Sequence, residues 1–507
     1  MTWRSVAARI ALACIAALLV CAPRPAHGQG GDAADWTADF RPAMRPAAQG
    51  DMLAHSTAPR YTIALDIAPG ADETLVSGQQ TVSYTNRLTT ALDTIVFRLY
   101  PNLDSFGARM TVGDVTVEGV TVERVTIAPD LDATHTVLTV PLSDPLPPGE
   151  SVTLSMPFAI TITNDSRDLY GQFGVLDGVL ALPEAYPVLS VYEPGRGWWQ
   201  ETEHPLGDAV FSETAFYDVH VTAPAELILT ASGSEIDLTS NDDGTLTHRF
   251  VAPLMRDFSL AASPHYVTLT GEQDGVLIRL LYDPAPEGTQ TATQHALQVA
   301  RDALRIYSEL YGPYPFAELD IAQTPNSAGG LEYPGLIVLN GDVWAANTDY
   351  FTFLIVHEIA HQWWYSLVGN DQIRHPWIDE ALAQYSVAQY ILATEGEDAY
   401  AAALDSFRMQ YEAFAATEGD APIGLPISAY PDQATYWAFI YQKGPAFFAL
   451  LDEQYGRDAV ISALRALFAA DRYGIATPDG VRSMFEQTLG TDLDALFADW
   501  VGGFPVG

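Results

Sequence analysis

"FLIVHEIAHQWWYSLVGND", Phe353 to Asp371, is almost wholly apolar, yet it holds two histidines and a glutamate near its centre. Residues four apart on a helix project about 40° from one another, so His357 and His361 stand side by side and can grip one cation. Glu358 projects about 100° round from His357, beside that cation rather than on it. This is the HExxH arrangement of two imidazoles on zinc with a carboxylate next to an open coordination position. Asn347, Thr348 or Asp349 can cap the start of the helix, and Gly369 is read as its end.

Two core histidines satisfied by hydrogen bonds would also explain that pattern taken alone, so the reading needs a third ligand. "HPWIDEALAQYSVAQY", 375–390, supplies Glu380 with eighteen residues between it and His361. Pro376 and Trp377 open this second helix, which puts Glu380 in its first turns, facing back across a loop. Asp379 is a candidate partner for a ligand, with solvent its expected destination.

"HEIAHQWW…WIDEALAQY" resembles the zinc site of the aminopeptidase N / leukotriene hydrolase family of gluzincin metallopeptidases, peptidase family M1. Two further stretches carry the resemblance. In "NSAGGLEYPGLIVLN", Gly329-Gly330-Leu331-Glu332-Tyr333 is similar to the family's G-[AG]-M-E-N motif, with Leu331 for Met and Tyr333 for Asn. The resemblance implies that Glu332 binds the substrate's free α-amino group, and that Gly329 and Gly330 let substrate backbone approach closely. In "ATYWAFIYQKGPAFFALL" the Y-x-K-G pattern implies that Tyr441 donates to the tetrahedral oxyanion opposite the metal, with Tyr436 a second tyrosine near the site. Glu184, in "LPEAYPVL", is a further candidate for holding the amine, or else a surface carboxylate. "VSYTNR…TIVFRLYPN", "MRDFSLAAS" and "YGPYPFAELDI" extend the likeness from about Tyr61 onward. The chain reads as a short form, without the family's large helical C-terminal domain.

The rest of the chain frames these motifs. From Tyr61 to about His265 apolar and polar residues alternate between Gly, Asn, Asp and Pro breaks, which predicts an all-β domain over 56–266. "TQTATQHALQVARDALRIYSELYG" switches to helical spacing and stops at Gly312-Pro313. "ELDIAQTP" and "GLIVLN" read as strands, and from Asn347 on nearly everything reads as helix. Residues 267–507 therefore form a second domain of α/β character, with a small sheet and a mainly helical second half. The resemblance implies that it is thermolysin-like. Residues 29–55 show no period and read as a linker.

Residues 1–28 read as a signal peptide: Arg4 and Arg9, an apolar run from Ile10 to Cys21, and Ala26-His27-Gly28 before the cut. Lipid attachment is the second reading. Both cysteines, Cys14 and Cys21, fall inside this segment, so an exported mature chain would carry no disulfide. Net charge is −40, and Lys443 is the only lysine. Such a surface argues against nucleic acid and against anionic membranes as partners. The expectation is an exported, periplasmic or secreted, aminopeptidase with one zinc per chain. His357, His361 and Glu380 would hold the metal, Glu358 would act as base, and peptides with a free N-terminus would be substrates. An endopeptidase on the same metal site and a non-catalytic binding module are the rival readings.

Overall fold

The structure, a computed structural model, describes residues 35–119, 124–165, 172–201 and 203–503. The segment read as a signal peptide lies outside the described residues. The alternation from Tyr61 onward becomes a nine-stranded sheet. Arg60–Pro69 runs antiparallel to Glu73–Thr85 and parallel to Ala215–Pro224. Glu73–Thr85 pairs along its full length with Ser151–Thr163, whose side chains alternate between buried and half-buried. Two four-stranded sheets pack with it around an aromatic core containing Tyr61, Tyr186 and Tyr217.

A second, five-stranded sheet begins at Val267. Val267–Gln273 and Val276–Tyr282 form a hairpin; Glu318–Thr324 and Leu336–Asn340 add parallel to it, and Gly330–Leu331 closes the edge antiparallel. Parallel neighbours need a long crossover. Here it is helix α1, Thr289–Leu310, whose buried stripe includes Ala292, Ala296, Ala303 and Tyr307. The Tyr307 hydroxyl lies 3.3 Å from the Val356 carbonyl and 3.0 Å from that of Ser386. It thereby braces helix α2, Asp349–Ala360, against helix α3, Trp377–Glu395. α3 is buried on all sides from Trp377 to Tyr390, the expected state of a helix without a polar face.

Two expectations are corrected. The described part of the 29–55 segment, from residue 35, is not a plain linker: from Ala38 to Ala54 the chain forms short helical turns with Phe40, Ala43, Met44 and Met52 buried. This segment straddles both domains. Arg45 Nη1 donates to the Tyr314 carbonyl at 3.0 Å, and Asp39 pairs with Arg249 at 2.7 Å. Spaced apolar residues sufficed to dock it, although no regular period announced it.

The metal-motif helix also ends at Ala360, not at Gly369. Trp363 and Trp364, both buried, turn away so that their indole N–H groups donate to the Gly312 carbonyl (2.9 Å) and Ser386 Oγ (3.1 Å). Tyr365 follows at φ 134°, a strained backbone for a non-glycine residue. It is held there by its hydroxyl on Asp257 (2.7 Å) and by its carbonyl, which accepts from Arg256 Nε (2.8 Å). Gly369 has a different task. A side chain there would stand on the buried Arg256 guanidinium, which also bonds the Ser212 and Gly474 carbonyls at 2.7 Å each. That one arginine fastens the β domain to the loop behind the second histidine.

Candidate functional site

α2 delivers His357 and His361 from one face, and the first turn of α3 delivers Glu380. The two imidazole Nε2 atoms are 3.1 Å apart, and Glu380 Oε2 lies 3.3 Å from one and 3.5 Å from the other. A tetrahedral ion with ligands at about 2.0–2.1 Å separates those ligands by about 3.3 Å, so the three atoms already stand at zinc spacing. All three side chains are buried. His361 Nδ1 donates to the Trp364 carbonyl at 3.0 Å, which leaves the Nε2 lone pair facing the other ligands. Glu380 Oε2 has no hydrogen-bond donor. A buried carboxylate oxygen between two imidazole nitrogens is a poor arrangement for protein alone and a suitable one for a divalent cation. Burial works against ionisation of Glu380, but the two histidines outweigh it and hold the group well below the usual carboxylate range. Burial pushes His357 down, which favours the neutral ligand form.

Glu358 sits beside this group. Its carboxylate, that of Glu332 and a nitrogen of His361 can all be placed within 4.8 Å of one another. Burial pushes Glu358 well up, with His361 opposing. Gly330, on the edge strand, is what admits it: a Cβ there would stand 2.6 Å from Glu358 Cδ and 2.7 Å from Cγ. The glycine expected to admit substrate backbone lines the cavity and also makes room for the acid of the metal helix. Gly329 has φ +102°, and its N–H donates to Asn326 Oδ1 at 2.9 Å, so it shapes the turn into the strand. Gln362, one residue past the second histidine, clamps the other end: it donates to the Tyr333 carbonyl at 3.2 Å and accepts from Gly335 N at 2.9 Å.

Glu332 faces the same space, 7% exposed. Gln372 Nε2 bridges Glu332 Oε1 and Asp379 Oδ2 at 3.0 Å each. Asp379 is therefore not in solvent: it is buried and, through burial and the adjacent Glu380, pushed up to about 8. Glu184 is no surface carboxylate either. It is fully buried at φ 43°, with both carboxylate oxygens unpartnered. Burial, then Asp257, Asp208 and Glu332, push it well up.

Tyr441 lies in a π-helical stretch, Trp437–Lys443, a distortion often found where a helix serves a site. Gln384 of α3 donates to the Tyr441 carbonyl at 3.3 Å and ties the stretch to the ligand helix. The Tyr441 hydroxyl donates to Glu380 Oε1 at 2.6 Å, so its present acceptor is the third ligand. The sequence reading had assigned that hydrogen to a substrate oxygen. Tyr436 packs edge-on against Tyr441 at 5.9 Å. Its hydroxyl would be 2.9 Å from a Cβ on Gly207, so it abuts the loop that carries Asp208.

Gly330, Glu332, His357, Glu358, His361, Glu380 and Tyr441 open onto one cavity of about 700 Å³ between the β domain and the helical half, whereas Glu184, Gly329, Asp379 and Tyr436 are not among its lining. Its lining holds Glu332, Glu358, Glu380 and Asp208 and, among the described residues, no lysine or arginine. Such a space attracts cations: a metal, an ammonium, or both. Sequence reasoning missed Asp208, Gln372 and Trp437. Asp208 comes from a loop far away in the chain, and nothing local in "EHPLGDAVF" marks it.

Residues 295–500 match the Peptidase family M1 domain. Among curated proteins, the chain is 26% identical over 255 residues to Aminopeptidase N of Lactobacillus helveticus, covering 47% of this chain and 30% of that one. It is 22% identical over 390 residues to Aminopeptidase M1-A of Oryza sativa subsp. japonica, covering 73% and 42%. It thus spans less than half the length of these relatives. The crystal structure of an M1 zinc metallopeptidase from Deinococcus radiodurans shares the fold, with TM-score 0.63 and 19% identity over 89% of this chain and 95% of that one.

Proposed function

Starting from the peptidase family M1 domain carried by residues 295–500, we propose that this protein is a zinc-dependent aminopeptidase that removes residues one at a time from the N-terminus of peptides. The observation that carries the reading is the convergence of His357, His361 and Glu380 at zinc spacing, with Glu358 beside them and Glu332 within reach. Zinc, when bound, supplies Lewis-acid activation of water and of the scissile carbonyl.

The chain's own groups do the rest. Glu332 receives the substrate ammonium, with Gln372 fixing its carboxylate. The Glu358 carboxylate, made more basic by burial, takes the proton of the attacking water and passes it to the departing amine. The Tyr441 hydroxyl turns from Glu380 Oε1 to the developing oxyanion. The acidic cavity favours a substrate that arrives as a cation.

The test compares a free peptide with its N-acetylated form, with and without chelator. Chelator-sensitive release from the free peptide alone is expected. Equal cleavage of both forms would remove the role of Glu332 and make the protein an endopeptidase. Export belongs to the same proposal and rests on the basic, then apolar, then small-residue pattern of residues 1–28. N-terminal sequencing of the cell-free fraction should give a chain beginning near Gln29, and an intact Met1 would refute it.

A further inference from the structure

The edge strand gives the cavity a direction. Reading backward along it, Glu332 comes first. Gly330, two residues away and on the same face, follows against Glu358. Gly329 and Ala328 come next, and there a Cβ on Gly329 would stand 3.2 Å from the Tyr350 hydroxyl. A peptide held by its ammonium at Glu332 and cut beside Glu358 therefore lays its second residue toward Tyr350.

That end of the cavity is aromatic. Tyr350 stacks on Phe353 at 5.9 Å and 14°, and Phe353 stacks on His357 at 5.7 Å and 22°. Beyond His357, whose ring lies 6.1 Å from that of Tyr441, Trp437 stacks on Tyr441 at 4.5 Å and 16°. Both outermost rings line the cavity and are open, Tyr350 to 49% and Trp437 to 40%. Among the described residues they are the two aromatic members of the exposed large hydrophobic set. Each ring stacks on a neighbour of the site and keeps part of its surface open to the cavity.

On the aminopeptidase reading above, we infer that Tyr350 and Trp437 form the subsite for the residue after the scissile bond and select a large apolar or aromatic side chain there. A large side chain laid against these rings gains offset or edge contacts and removes apolar area from water, which together yield about tenfold or more between Phe and Gly. Among the described residues nothing cationic lines the cavity, and the carboxylates that do line it disfavour an acidic second residue.

The experiment uses Ala-Xaa-Ala peptides with Xaa Phe, Leu, Gly or Asp. Turnover is measured for the zinc-loaded protein, and affinity by calorimetry for its Glu358→Gln variant. Phe should exceed Gly by about tenfold in kcat/KM, mainly through KM, and by a similar factor in affinity, with Asp poorest. Tyr350→Ala and Trp437→Ala, each tested in both backgrounds, should cut the Phe/Gly ratio at least threefold, while Tyr350→Phe should keep it. Trp437→Ala also loosens Tyr441, so the ratio is read rather than the rate. Equal affinity for Phe and Gly peptides, or a ratio that neither alanine variant moves, overturns the subsite. A protein that holds Ala-Phe-Ala tenfold tighter yet cuts none of the peptides supports the subsite and overturns only the aminopeptidase reading.

Discussion

Replacing Gly330 with alanine sets a methyl carbon 2.6 Å from Glu358 Cδ and 2.7 Å from Cγ, with Oε1 closer still. Carbon atoms pack at about 3.5–4.0 Å, so something must move by about 1 Å. Gly330 is not at a positive φ, so the new residue meets no backbone strain of its own. The overlap involves the carboxylate carbon and the methylene behind it, so a rotation of the terminal oxygens does not relieve it. Glu358 itself is 4% exposed and has little room. The expected result is a base displaced by about 1 Å, worth about 100-fold in kcat. Overpacking should cost a further 1–3 kcal/mol of stability, roughly. The metal ligands do not touch Gly330, so zinc content should stay at the wild-type level. The assay is kcat on an alanyl peptide alongside zinc analysis and denaturant unfolding. A variant within threefold of wild-type kcat would refute the claim that Gly330 exists to seat Glu358. Loss of zinc together with activity would show that the overlap is relieved through the metal helix instead.

Two further outcomes follow from single side chains. Tyr441→Phe removes both the 2.6 Å hydrogen bond to Glu380 Oε1 and the oxyanion donor, so kcat should fall about 10²–10³-fold and zinc affinity more modestly, as steady-state kinetics and metal titration would show. His375 is pushed down to about 4 by burial and then by Arg196 and Arg374. Between pH 6.5 and about 4 the unfolded chain therefore binds the proton that the folded chain refuses. The stability this contributes is full above 6.5 and is lost as the pH falls to about 4, at most about 3 kcal/mol. His375→Gln should flatten the urea-unfolding stability profile over that window and leave it unchanged above pH 7.

The metal motif was legible because its constraints are local: a four-residue step from one histidine to the next sets a helical face, and a proline-tryptophan start sets the phase of Glu380. The β-to-helix order was legible for the same reason, since period two and period 3.6 differ plainly over ten residues. Partners distant in the chain left no such mark. Gly369 read as a helix stop because glycine usually is one, whereas its role depends on Arg256, more than a hundred residues earlier. Asp379 read as solvated because an acid in a helix's first turn usually is. It is buried because Gln372 bridges it to Glu332. The segment 29–55 read as a linker because its buried apolar side chains, Phe40, Ala43, Met44, Ala48 and Met52, lie in irregular turns and make no period. That Gly330 also seats Glu358 was not legible, since a motif identifies a glycine without saying what lies against it.

The central claim is that three side chains from α2 and α3 share one divalent ion. Diffraction from crystals equilibrated with zinc, recorded on either side of the zinc absorption edge, tests it directly. We expect one anomalous peak per chain, at about 2.0–2.2 Å from His357 Nε2, His361 Nε2 and a Glu380 carboxylate oxygen. No peak there, or a peak held by other residues while these three hydrogen-bond among themselves, would contradict the account.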